Sequence, residues 1–381
     1  MASRAWSADR LADELTRLGT RGLRPDAYFA EVSARLQRAV PSQANCWHTL
    51  DPETGLLTSE APEELIASGV YSPQTAPAAG QVIVNSEYIV DDVNTFAALA
   101  RRRTTVGILS EATRGRPERS ARYRDLLAPS GIPNEMRAAF VARGRAWGAV
   151  HMARTGDQPD FTARDAVVLA RVTTIIADGI RASLRHDAGR RAAGDGPGLV
   201  LLGPADEVEF ITPPARPLLA ALRSPTLRES DDTPPASLLA LAAFARAVDR
   251  APIQPVAVPS PLGWISLHAS LPEGAKQGRV AIVLDAAAGP RVASLRLETH
   301  GVTPREREIA ALLAHGRSNG EIAAALALSP YTVQDHIRSL FEKTGVSSRR
   351  ELVARIFLED YLPQIAAGTP LTADGTFAAR S

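Results

Sequence analysis

Gln334, Asp335 and Arg338 are the residues of this chain whose types and spacing point most directly to chemistry. Glutamine can form a paired hydrogen bond with an adenine edge and arginine with guanine, while aspartate can accept from the cytosine amine. Counted at about 100° per residue, Asp335 and Arg338 share one side of a helix with Tyr331 and Glu342, flanked by Gln334, opposite an apolar stripe of Val333, Ile337 and Leu340. Around that face stand Ser318, Asn319, Ser329, Tyr331, Thr332, Lys343 and Arg349, polar and cationic groups of the kind that hold phosphates and set register. A second set, Cys46, His48, Trp147 and His151, can line a pocket for a small effector; its spacing has no metal-ligand pattern, and such lone residues also serve as plain core. There is no phosphate-loop glycine motif, Gly-x-Ser-x-Gly elbow, zinc-binding histidine pair or kinase catalytic loop, so no catalytic residue, metal or cofactor is expected.

Side chains that read an edge must be held by rigid elements, and the sequence around them is dense in helix-start signals. Thr303-Pro304-Arg305-Glu306, Ser318 to Glu321 and Ser348 to Glu351 each read as a capping box, the first with proline at the opening helical position. Ser329-Pro330 opens a further helix in the same manner, and Gly316 and Gly345 fall where helices must stop. Each helix carries one apolar stripe: Ile309, Leu312 and Leu313; Ile322, Ala323 and Leu326; Val333, Ile337 and Leu340; Leu352, Val353 and Ile356. Ala327-Leu328 is too short a link for an antiparallel hairpin, so the helices on either side should cross steeply. Residues 302–358 are therefore expected to form an all-α tetrahelical helix-turn-helix module that presents Gln334, Asp335 and Arg338 outward.

The rest of the chain is long enough for more than one further domain, and at 381 residues with 45% apolar and 22% charged it has ordinary folded composition. No window approaches the roughly 18 apolar residues of a membrane span. With no apolar leader and a single cysteine, Cys46, a reducing, cytoplasmic setting is expected. The formal net charge of +1 gives no whole-molecule attraction for a polyanion, and residues 302–358 carry an excess of about two positive charges. Nucleic-acid binding must be local, and two copies together would double the charge.

Ahead of the helical module lie two α+β blocks. In residues 1–186, helical patterns (Leu11, Leu15, Leu18; Phe29, Val32, Leu36) lead to strand-like Ala44 to Thr49, a turn at Asp51 to Gly55, and Leu56 to Thr58. Ala138 to Ala142 and Trp147 to Ala153 then form a hairpin, followed by one long amphipathic helix from Phe161 through Leu184. That order, with Trp147-Gly148-Ala149-Val150 and Asp160-Phe161-Thr162, resembles a GAF sensory domain. After a linker at 187–197, residues 198–288 run strand, strand, helix, helix and a series of strands, a pattern that resembles a PAS domain. A second linker is expected at 289–301 and a disordered tail at 363–381.

The helical segment resembles the output domain of LuxR-type regulators. The resemblance rests on Thr303-Pro304-Arg305-Glu306-Arg307-Glu308, Ser318-Asn319-Gly320-Glu321-Ile322-Ala323, Ser329-Pro330-Tyr331-Thr332-Val333-Gln334-Asp335-His336-Ile337 and Gly345-Val346-Ser347-Ser348-Arg349. It implies a transcriptional regulator that binds double-stranded DNA with its third helix in the major groove and forms a homodimer on DNA through its fourth, with Gln334, Asp335 and Arg338 as the base-reading set. Gly320 stands where the family commonly has Lys or Arg, and Asp335 brings a negative charge to the groove. An unknown effector of the GAF-like and PAS-like blocks would modulate binding. The alternative is a signalling scaffold that uses the helical module for protein contacts alone.

Overall fold

Two five-stranded antiparallel sheets with the same connectivity organise the chain up to Ala286, and a helical module follows. The computed structural model describes residues 8–72, 75–187, 196–223, 233–248, 253–272, 278–286, 295 and 297–356. Residues 188–195 of the expected linker at 187–197, and the whole tail at 363–381, lie outside the described residues. Both sheets belong to one compact unit, Met1–Asp187 with Ala192–Ala286, while the second unit comprises Ala188–Arg191 and Ala287–Ser381.

The first sheet contains β1 (Ala44–Leu50), β2 (Leu57–Ala61), β3 (Val106–Ile108), β4 (Asn134–Ala142) and β5 (Arg145–Arg154), in the order β2-β1-β5-β4-β3. Arg143 and Gly144 join β4 to β5 with φ of 54° and 74°, the left-handed pair that a two-residue hairpin turn needs. The helices are α1 (Ala8–Gly19), α2 (Pro25–Ala39), α3 (Glu63–Ala67), α4 (Ala76–Tyr88), α5 (Phe96–Arg101), α6 (Leu109–Ala112), α7 (Ala163–Ala170) and α8 (Thr173–Asp187). On one face α2 and α8 pack on the sheet, and Trp47 is stacked between Phe29 and Phe140 with ring centroids 5.6 Å apart on both sides. Gly148 is required there, since a Cβ would lie 2.6 Å from both the His48 carbonyl and Ile180.

The long helix expected from Phe161 through Leu184 is two helices. A Thr162–Asp165 capping box, not read from the sequence, starts α7, and the chain turns at Arg171 and Val172, whose amides bond back to Val167 and Leu169. β-branched residues crowd this stretch (Val167, Val168, Val172, Thr173, Thr174) and weaken a continuous helix, and the tightened turn lets both Leu169 and Val172 become fully buried.

The second sheet contains β6 (Gly198–Leu202), β7 (Val208–Ile211), β8 (Val256–Ser260), β9 (Gly263–Ser270) and β10 (Val280–Ala286), in the order β7-β6-β10-β9-β8. Alternate residues (Val200, Leu202, Val256, Val258, Ile265, Leu267, Val280, Ile282, Leu284) face α9 (Ala215–Leu222) and α10 (Ala236–Ala247). α10 belongs to two cores at once. Leu238, Leu241, Ala242 and Ala245 pack into the second sheet's core, while Leu239, Ala240 and Ala243 pack with Leu50, Leu57, Val84, Phe96 and Ala149 of the first. Alanines at these positions let two layers approach one helix closely. Beside them Asp206 accepts from Gln81 of α4 at 2.7 Å and from Arg246 of α10 at 2.6 Å, a polar clamp across the same seam.

The second unit holds α11 (Pro304–Ala314), α12 (Asn319–Leu326), α13 (Pro330–Thr344) and α14 (Arg349–Ile356). Of the expected linker 289–301, Leu295 and Leu297–Thr299 are helical. Leu297 packs on the module's core, buried Glu298 pairs with Arg307, and Gly301, at φ 78°, ends the turn.

Because the seam is continuous, both sheets should unfold together. Leu241→Ala is expected to cost about 2–5 kcal/mol and to shift the unfolding of Trp264 in β9 and of Trp47 and Trp147 in the first sheet by the same amount, read by fluorescence of single-tryptophan variants.

Candidate nucleic-acid interface

The helical module is built from its caps inward. Thr303 and Glu306 form a reciprocal capping box at the start of α11, as do Ser318 and Glu321 at α12, and Ser329 accepts from the Thr332 amide at α13. The third expected box is only half made. Ser348 accepts from the Glu351 amide, but the Glu351 carboxylate reaches Ser347, accepting from its amide at 2.7 Å and its hydroxyl at 2.8 Å. Between α12 and α13 the chain reverses at Ala327, left-handed at φ 52°, while the Leu328 amide closes on the Ala323 carbonyl. A non-glycine residue there is strained by about 1–2 kcal/mol, which the packing of Leu326 and Leu328 on the core sustains.

Ile309, Leu313, Ile322, Val333, Leu340 and Leu352 are buried together, with Ile337 and Phe341 half-buried against them. α13 is therefore pinned along the stripe expected from the sequence. Gln334, Asp335 and Arg338 are exposed on its other side, and Tyr331 is 82% exposed. None of these four side chains has an intramolecular partner.

Lys343 and Arg349, expected at phosphates, each have a partner within the module. The Lys343 ammonium donates to both carboxylate oxygens of Glu306, at 2.6 and 2.7 Å, and Arg349 donates to the Arg317 carbonyl. Glu306 also accepts from Ser339 at 2.7 Å and from the Thr303 amide at 2.7 Å. Burial would raise its carboxyl; the Lys343 ammonium, the Thr303 amide and the Ser339 hydroxyl outweigh that and hold it down to about 2. Arg305, Arg307 and Arg317 pair with Glu308, Glu298 and Glu321. Among the described side chains of the module, Arg338 and Arg350 are the arginines left without an intramolecular partner. Ser318 is exposed and Asn319 half-exposed at the start of α12, and a side chain at Gly320 would meet open space. Ser329 and Thr332 hydroxyls bond each other at 2.8 Å at the start of α13.

Of the other expected set, all buried, Cys46, His48 and His151 share one face of the first sheet, and Trp147 lies apart from them. β4 pairs Phe140 with Gly148 and Val141 with Ala146, so Trp147 is the extra residue of a bulge, and its ring lies 5.5 Å from the Arg181 guanidinium of α8. His48 faces the opposite layer, 5.5 Å from Phe96 of α5, and Cys46 and His151 are paired across β1 and β5. Burial pushes the Cys46 thiol well up, which makes it a poor nucleophile.

What the sequence reading missed is the buried ionic cluster beside the two histidines. Arg122 grips Glu135 at 2.9 and 2.8 Å and reaches Asp92 at 3.4 Å, while Arg137 donates to Glu87 at 2.6 Å and stacks 3.8 Å over the Phe96 ring. Both arginines are fully buried. Alternating Glu135 and Arg137 along β4 looks like a solvated face in one dimension, so only their remote partners could have shown it. Burial first, then Arg137 and each other's neighbourhood, push His48 down to about 3, and burial with Arg137 and Arg122 pushes His151 down to about 4 against the pull of Glu135.

With these geometries in place, the comparisons with known proteins are decisive for one segment. The model of the family described as "Bacterial regulatory proteins, luxR family" matches residues 300–356. Those residues form a LuxR-family helix-turn-helix domain. Over 56 residues the chain is 52% identical to the transcriptional regulatory protein UhpA of Escherichia coli (strain K12), a match covering 15% of this chain and 29% of UhpA. Over 64 residues it is 41% identical to the HTH-type transcriptional regulator MalT of Serratia proteamaculans (strain 568), covering 17% of this chain and 7% of MalT. The chain thus spans less than a third of the length of either relative. A bacteriophytochrome, RpBphP3 from R. palustris, aligns over 76% of this chain and 64% of its own at 10% identity and a TM-score of 0.28, too low to carry an argument. Among the described residues no helix is long and apolar enough to cross a membrane.

Two outcomes follow from the charges. Lys343→Met should destabilise the helical module by on the order of 3 kcal/mol yet leave the salt dependence of any DNA binding unchanged, measured by urea titration and by affinity at several salt concentrations. Because His48 and His151 are held below the ordinary histidine value, the unfolded chain takes up protons that the folded chain refuses. Stability of the two-sheet unit should be level above about pH 6.5 and fall from there towards pH 4; His151→Gln should make that fall shallower, and an unchanged slope would remove His151 as its source.

Proposed function

We propose that the protein is a sequence-specific DNA-binding transcriptional regulator, with α13 in the major groove and two copies on one site. The observation that carries this is the exposed, unpartnered row Gln334, Asp335 and Arg338 on a helix whose other side is locked into the LuxR-family core. Glutamine would read adenine, arginine guanine, and aspartate cytosine. The helix starts at Ser318 and Ser329, with Asn319 and Thr332, would hold phosphates. Lys343 and Arg349 support the fold of the reader and leave the phosphate set.

We assign residues 1–186 as a GAF-like and 198–288 as a PAS-like domain, with 302–358 as the output domain. The two sheets would act as one sensory unit, because α10 completes both cores. A ligand or partner that favours one arrangement of that unit would shift the population able to bind DNA.

Arg338→Ala should weaken binding to the cognate site by about tenfold or more and relax preference at one base pair, with the melting of the module unchanged. Electrophoretic shifts on selected duplexes over a salt series test this. With Arg338 and Arg350 of each copy as the free arginines among the described side chains, log K against log salt should have a shallow slope, no steeper than about −4 for a dimer. Affinity that does not fall with salt would support a protein-binding scaffold instead.

A further inference from the structure

Tyr331 is the one large apolar side chain of the described helical module that stands fully in the open, at 82% exposure. It sits in the first turn of α13, three, four and seven residues before Gln334, Asp335 and Arg338, and so on the same stripe. At about 1.5 Å per residue the stripe from Tyr331 to Arg338 covers roughly 10 Å, about three base steps. Side chains in a helix lean towards its N-terminus, which sends the Tyr331 ring beyond the hydrogen-bonding trio and towards the part of a recognition helix that approaches bases most closely.

Two features of the module favour an apolar contact there. The outward row of α13 carries Asp335 and Glu342 against Arg338, more negative than positive charge on the surface that must meet a polyanion. Most cations among the described side chains are engaged within the module, Lys343 by Glu306, Arg305 by Glu308, Arg307 by Glu298, Arg317 by Glu321 and Arg349 by a carbonyl, which leaves Arg350 as well as Arg338. Counterion release is therefore a small source of affinity, and contact with base edges has to supply more of it. The major-groove edge of a base pair has one apolar feature, the thymine methyl group. An exposed tyrosine is the side-chain type that gains most by covering such a group, with few rotatable bonds to fix.

We propose that Tyr331 is a specificity-determining residue whose ring packs on a thymine methyl group in each half-site. This rests on the placement of α13 proposed above and extends it by one base pair at the end of the reading row. It also distinguishes two roles for the residue, since a phosphate contact would use the phenol hydroxyl, whereas a methyl contact uses the ring.

The test uses the full chain and a duplex selected from a randomised pool. Tyr331→Phe should bind the selected site as the parent does, and Tyr331→Ala should lose about tenfold there with unchanged affinity for unrelated DNA. Replacing each thymine in turn by uracil, which removes only the methyl group, should weaken the parent several-fold at one position per half-site and should not weaken Tyr331→Ala there. Melting temperatures of both variants should match the parent, because the side chain touches little. The proposal is overturned if Tyr331→Phe is as weak as Tyr331→Ala, if Tyr331→Ala binds like the parent, or if uracil is neutral at every position. If the parent chain retains no duplex selectively at any salt concentration, the placement of α13 itself is wrong and Tyr331 loses its role with it, a result separate from selective binding that ignores the methyl group.

Discussion

The helical module turns on one carboxylate. Glu306 closes the cap of α11 through the Thr303 amide and, from the same buried position, holds Ser339 and Lys343 on α13. Those two residues are one helical turn apart, so the pair fixes the rotation of α13 about its own axis as well as its distance from α11. With Val333 and Leu340 buried beneath, that rotation leaves Gln334, Asp335 and Arg338 no orientation except outward. A residue that looks in sequence like ordinary capping chemistry is thereby the reference point for the reading surface. The same arrangement commits Lys343 to the module: moving it would leave a buried carboxylate short of its strongest partner.

In the two-sheet unit the corresponding element is α10. A twelve-residue helix with nine buried positions cannot satisfy a single sheet, which covers one stripe only. Its second stripe, of Leu239, Ala240 and Ala243, is met by the first sheet, next to the Phe96 ring that lies under the Arg137 guanidinium. The buried ionic cluster and the second sheet are thus separated by one aromatic ring and one helix. Any change in how the first sheet holds its charges acts on a helix that the second sheet also needs.

Local signals were legible wherever the physics is local. The caps at Thr303, Ser318 and Ser329, the stops at Gly316 and Gly345 and the apolar periodicity of α13 depend on residues within a few positions of one another, and they stand where the sequence puts them. The failures have a common cause. The break at Arg171 depends on what Leu169 and Val172 meet across the sheet, the direction of Trp147 on a bulge against β4, and the Glu351 carboxylate on which of two adjacent serines lies closer.

From its residues alone, the chain determined that a LuxR-type helix-turn-helix lies near its carboxyl end, which side of the third helix is apolar, and that two α+β blocks come before it. Tertiary structure decided which charges are free. Lys343 and Arg349 look in sequence like Arg338, and they differ only because Glu306 and the Arg317 carbonyl reach them from 37 and 32 residues away. Arg122, Glu135 and Arg137 look like surface residues and are core, for the same reason. A charge is defined by its partners, and in a folded chain those partners are set by packing between elements that no local pattern encodes.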